Sequence, residues 1–149
     1  LIIIGVLLSR AAIRSEDGAV TSGGETTDSI ADIEALIAGL RKDTTAAYES
    51  YGQQPPTELL APREEIERIQ YAWCEPLVER RQALINRFGM AGYAEIFVAF
   101  SACERNLNRT WSTLVDGYVD EAGPSLQRAA RAAEDTWTAW RKHVPGDDT

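Results

Sequence analysis

The chain has 149 residues, of which 44% are apolar, 26% charged and 8% aromatic, and its net charge is −8. This length supports one domain with a core of its own and leaves no room for two full-sized ones. The acidic balance argues against a nucleic-acid binder, and one histidine with two cysteines argues against a protein-ligated transition-metal centre.

Residues 1–8 (LIIIGVLL) are uniformly apolar but well short of the roughly 20 that a bilayer span requires. Residues 1–14 are therefore expected to be the end of a signal peptide or membrane anchor. Residues 15–27, polar and glycine-rich, are expected to be a flexible linker. An apolar stub followed by a tether points to a periplasmic or secreted protein, held at the membrane if the stub is an anchor. The bland alternative for the stub is a core strand. A helical domain is expected over 28–144 and a solvated tail over 145–149, after the stop at Pro145.

Four helical stretches follow the linker. The first begins at Ser29 behind a candidate N-cap, Asp28, and carries Ile30, Ile33, Ile37, Leu40, Ala47 and Tyr51 at spacings of one buried face. Gly52 and the pair Pro55-Pro56 end it. The second opens at Pro62, with Glu64, Glu65 and Glu67 suited to the positive end of the helix dipole. Its stripe runs Ile66, Ile69, Trp73, Leu77, Leu84 and Phe88 to a stop at Gly89, with a kink expected near Cys74 and Glu75 because Pro76 lies inside it. The third carries Ile96, Phe100, Cys103, Leu107, Trp111, Leu114 and Tyr118 and ends in a turn at 120–124. The fourth carries Leu126, Ala130, Ala133, Trp137, Trp140 and Val144. The fold expected is all-α, an antiparallel bundle of about four helices whose last two form a long hairpin.

Catalytic motifs are missing from the sequence: there is no glycine-rich phosphate loop, no G-x-S-x-G and no H-E-x-x-H. His143 has no second histidine to work with and is expected at the surface. The Glu64, Glu65 and Glu67 cluster suits a solvated helix start better than a pair of catalytic carboxyls. A non-enzymatic protein with no cofactor is expected. Cys74 and Cys103 fall at comparable heights on antiparallel second and third helices. In an exported chain they would oxidise to one bridge worth on the order of 3 kcal/mol. In a reducing compartment they would remain two buried thiols.

The third and fourth helices read Leu107-Asn108-x-x-Trp111-x-x-Leu114, a turn, then Arg131-Ala132-Ala133-Glu134-x-x-Trp137-x-x-Trp140-Arg141. This resembles the lysozyme inhibitor LprI-like N-terminal family of small exported bacterial domains, over roughly residues 103–143. The resemblance implies a helical domain that inhibits a lysozyme by protein–protein contact. Glu134 stands where the family has glutamine and Lys142 where it usually has an acid. No cysteine follows Arg141, so a Cys74–Cys103 bridge would have to replace the family's own.

Folding the third helix back on the fourth about residue 122 sets Trp111 against Ala133, Leu107 against Trp137, and Glu104 in a salt bridge with Arg141. It makes Trp137, Trp140 and Arg141 a clamp closing the hairpin, with a binding patch as the other reading. Excess acid is confined to residues 28–61, with six acids against two bases, and 91–123, with five against two. Asp116, Asp120 and Glu121 are the candidate contacts for a basic partner such as lysozyme, because they crowd the hairpin tip. A membrane-tethered structural or sensory domain is the alternative function, and the sequence says nothing of oligomeric state.

Overall fold

The computed structural model describes residues 26–53 and 57–146. Every element among them is helical: α1 (Thr26–Gln53), α2 (Leu60–Ile69), a π-helical segment (Gln70–Cys74), α3 (Glu75–Glu79), α4 (Arg81–Val115) and α5 (Val119–His143). The expected all-α bundle is present. α4 and α5 pack along one another as a hairpin, α1 lies against α5, and α2 with its π segment packs on α4 and α1. The apolar run at 1–8, the linker up to residue 25, the Pro55-Pro56 stop and residues 147–149 lie outside the described residues. Asp28 is itself helical, within α1, and so does not stand at the cap position expected for it.

The core is the set of stripes read from the sequence, with two kinds of adjustment. Ile33, Ile37, Leu40, Ile66, Ile69, Leu77, Leu84, Ile96, Phe100, Cys103, Leu107, Leu114 and Leu126 are all at most 2% exposed. On α1, Leu36 and Thr44 join the buried face. On α5 the stripe turns toward Ala122, Ser125, Ala129, Ala132, Ala133, Thr136 and Trp140, so Ala130 and Trp137 fall at its edge.

The start of the second helix and a break at Arg80 depart from expectation, while the kink before Pro76 is where the sequence puts it. The expected stop at Gly89 is present too, as a non-helical residue (φ 72°, ψ 176°) inside the range of α4. α2 starts at Leu60, which leaves no acid in its first turn. Glu65 instead binds Arg68, and Glu67 accepts the indole N–H of Trp111 at 2.7 Å. The kink before Pro76 is a π turn, in which the Glu75 N–H reaches back five residues to the Gln70 carbonyl. Proline has no N–H for the ordinary ladder and its ring crowds the preceding turn, so the helix widens there. The second helix is also broken at Arg80 (φ −94°, ψ 7°), ahead of Leu84 and Phe88. No glycine or proline marks that site. Arg80 is held there by its guanidinium, which binds Asp32 on α1 and the Pro76 carbonyl.

The hairpin turn lies at Asp116-Gly117-Tyr118, not at 120–124. Gly117 takes φ 82°, a left-handed conformation that favours glycine, while the Tyr118 N–H bonds the Thr113 carbonyl and the Gly117 N–H bonds that of Leu114. Together these form a Schellman stop. Pro124, expected to mark the turn, rides inside α5. The shift displaces the hairpin register by about two helical turns. Asn106 now faces Arg128 (3.2 Å) and Glu95 faces His143 (3.2 Å), so the expected pairings of Trp111 with Ala133 and Leu107 with Trp137 do not form.

α1 and the π segment meet at Gly39. A Cβ placed there would lie 2.6 Å from the Trp73 ring, and that ring is fixed by its indole N–H bond to Asp43, one turn further along α1 (2.8 Å). Gly39→Ala should therefore destabilise the protein by about 1–3 kcal/mol despite alanine's better helix propensity. Gly52→Ala, which meets open space, should be neutral or mildly stabilising. Urea unfolding followed by circular dichroism measures both.

Candidate functional site

The candidate residues divide into a clamp around Trp137, Trp140 and Arg141 and an exposed hairpin tip. Trp140 is fully buried. Its indole N–H donates to Glu34 on α1 at 3.0 Å, and Phe88 meets its ring edge-on at 5.7 Å. Trp137, one turn earlier, is half-buried between two guanidinium groups, Arg141 at 4.7 Å and Arg41 at 5.4 Å from its ring centre. Arg41 bonds Glu134 at 2.6 Å, and Arg141 lies 3.9 Å from Glu34. The clamp thus fastens α5 to α1. The expected Glu104–Arg141 salt bridge is absent, because the displaced hairpin register carries Arg141 away from Glu104 and toward α1.

Two further tryptophans follow the same rule. Trp111 on α4 donates to Glu67 on α2, with Arg63 5.8 Å from its ring centre. Trp73 in the π segment donates to Asp43 on α1, a carboxylate that also binds Arg68 at 3.1 Å. Asn108 accepts the Gln70 side-chain amide at 2.6 Å, and Leu107 lies wholly in the core. Sequence reasoning placed these aromatic residues on buried stripes but missed their acceptors. Glu34 and Asp43 had been read only as excess negative charge on the first acid-rich segment.

The Trp111–Glu67 and Gln70–Asn108 bonds fix the register of the π-containing helix against α4. One turn further on, that register brings Cys74 opposite Cys103 and Glu104. Both cysteines are free, fully buried thiols in this structure. Burial pushes the Cys103 thiol up to about 12, with the Glu104 carboxylate adding to the effect. Burial likewise raises Cys74, with Cys103 and Glu104 contributing. Both stay protonated at neutral pH and are poor nucleophiles there. Burial also raises the Glu104 carboxyl, opposed in part by Arg105.

At the opposite end of the hairpin, Asp116, Asp120 and Glu121 are all exposed and surround Tyr118, which is 61% exposed. The sequence had placed Tyr118 on the buried stripe. The turn at Gly117 releases it into solvent instead. None of the three acids has an ion-pair partner among the described residues, whereas Asp32, Glu34, Asp43 and Glu95 are all engaged inside the fold. His143 closes the other end of the hairpin through Glu95 and stacks beside Phe88 at 5.5 Å.

Among the described residues, no group of three or more His, Cys, Asp or Glu side chains is arranged to hold a metal ion. No described helix is long and apolar enough to cross a membrane. In comparisons with known proteins, no family model, curated protein or solved structure matches the chain.

The two α5 tryptophans should behave differently on truncation. Trp140→Ala should cost about 3–5 kcal/mol, the range for a large buried aromatic. Trp137→Ala should cost only about 1–2 kcal/mol, since the ring is partly solvated and its partners are surface cations. Denaturant titration of the two variants checks the ranking.

Proposed function

We propose that this chain is an extracytoplasmic, non-enzymatic binding module that inhibits a basic lysozyme through the tip of its α4–α5 hairpin. The observation that carries the reading is the tip itself. Three exposed carboxylates, without ion-pair partners among the described residues, ring an exposed tyrosine on a projecting turn. Tyrosine supplies rigid contact area with a polar end, and carboxylates beside it favour arginine- and lysine-rich surfaces. A projecting loop can also enter a concave cleft that a flat helical face cannot.

The motif resemblance to the LprI-like family supplies the partner class. In this reading the tryptophan motif holds the hairpin in place and the tip makes the contact. Export would oxidise Cys74 and Cys103 to a bridge across the two helices that the Gln70–Asn108 bond already aligns.

The test is inhibition of cell-wall lysis, followed by turbidity, with association to immobilised lysozyme measured at low and high salt. Reversing Asp116, Asp120 and Glu121 to lysine should slow association at low salt by about tenfold or more, and much less at high salt, where exposed charges are screened. Peptide mapping of the exported protein should find Cys74 joined to Cys103. Unchanged inhibition by the triple variant would remove the tip as the site. A folded wild-type chain that does not inhibit would contradict the reading altogether.

A further inference from the structure

A cavity of about 420 Å³ opens between the C-terminal half of α1, the first turns of α2 and the ends of α4 and α5 next to the hairpin turn. Its floor is Ile66, Leu114 and Leu126, each 2% exposed. Its walls include Ala47 and Ala61, side chains too short to fill it. Tyr51 forms part of the rim and cannot swing in to close the space. Its hydroxyl donates to the Val119 carbonyl at 2.7 Å, and its ring lies where a Cβ on Gly123 would be 3.4 Å away. Here the packing stops short, and the volume and lining are those of a small-molecule pocket.

The charge at the opening is negative. Glu58 lines the pocket and has no ion-pair partner among the described residues. Glu65 also lines it, but shares Arg68 with Asp43, so that trio keeps one net negative charge. Arg63 is turned away toward Trp111. The C-terminal end of α1 and the N-terminal end of α2 both border the pocket, and their opposed dipoles largely cancel. The carboxylates therefore decide the sign.

We propose that this cavity binds a small amphipathic amine, its apolar body on Ile66, Leu114 and Leu126 and its ammonium group at the mouth beside Glu58. An apolar floor with a carboxylate at one edge selects such a ligand over a neutral or anionic one of the same shape. The site adjoins the hairpin tip, because Tyr51 on its rim bonds Val119, but the proposal does not depend on the lysozyme reading.

The probe is n-octylammonium, well below its micellar concentration, titrated into the full chain and read by methyl NMR shifts of Ile66, Leu114 and Leu126. Saturable shifts at those methyls are expected, with octanoate binding at least about tenfold more weakly. Glu58→Gln should weaken octylammonium about threefold at low salt, the scale of an exposed charge pair. Ala47→Leu should weaken it more than about tenfold by filling the pocket, and Ala61→Leu serves the same purpose if the first variant fails to fold. No saturable binding to the folded protein would overturn the proposal. So would octanoate binding as tightly as octylammonium, or a folded cavity-filling variant binding like wild type.

Discussion

A tryptophan taken out of water must find an acceptor for its indole N–H or forfeit a hydrogen bond, and three of this protein's four tryptophans meet that demand in the same way. Each reaches a carboxylate on a different helix: Trp73 to Asp43, Trp111 to Glu67 and Trp140 to Glu34. Apolar contact alone holds helices together without fixing how far one slides along another. A charge-assisted bond from a rigid ring is directional, and it sets that displacement. Three such bonds join α1 to the π segment, α4 to α2 and α5 to α1. Gly39, which lets the Trp73 ring lie against α1, and the π turn before Pro76, which carries that ring, belong to the same arrangement.

These ties also decide which acids remain available to a partner. The first acid-rich segment spends Asp32, Glu34 and Asp43 on Arg80, Trp140 and Trp73. On α4, Glu95 is taken by His143. The second segment keeps exposed charge at the turn, without ion-pair partners among the described residues, where Asp116, Asp120 and Glu121 surround Tyr118. Net charge alone treated the two segments alike. Their difference lies in what each carboxylate already touches, and it directs the proposed contact to the tip.

The helices were legible because 3.6-residue periodicity is a local property, and most of the stripe positions read from the sequence are buried, while Tyr118 is exposed. What the sequence did not reveal was set by contacts between distant residues. The break at Arg80 depends on Asp32, nearly fifty residues earlier. The hairpin turn was assigned to Gly123-Pro124, since proline usually follows a helix stop, yet the one left-handed glycine there is Gly117. Displacing the turn broke the expected Glu104–Arg141 pair and exposed Tyr118. Arg141 lies over Trp137 from four residues along the same helix, a local pairing. The second cation on that ring, Arg41, comes from α1 and left no local trace. The tip acids lie together in solvent because any turn near residue 120 exposes them.

Hydrogen exchange of the four indole N–H protons, resolved by NMR, tests most directly whether carboxylate-bound tryptophans position the helices. Trp140, buried and bonded, should exchange slowest, Trp73 and Trp111 more slowly than a solvated indole, and Trp137, with no bond to its N–H among the described residues, fastest. Replacing Glu34 with Gln should speed exchange at Trp140 while leaving Trp73 and Trp111 unchanged. Four indoles exchanging at one common rate, or a Trp140 unaffected by the loss of the Glu34 charge, would contradict the account.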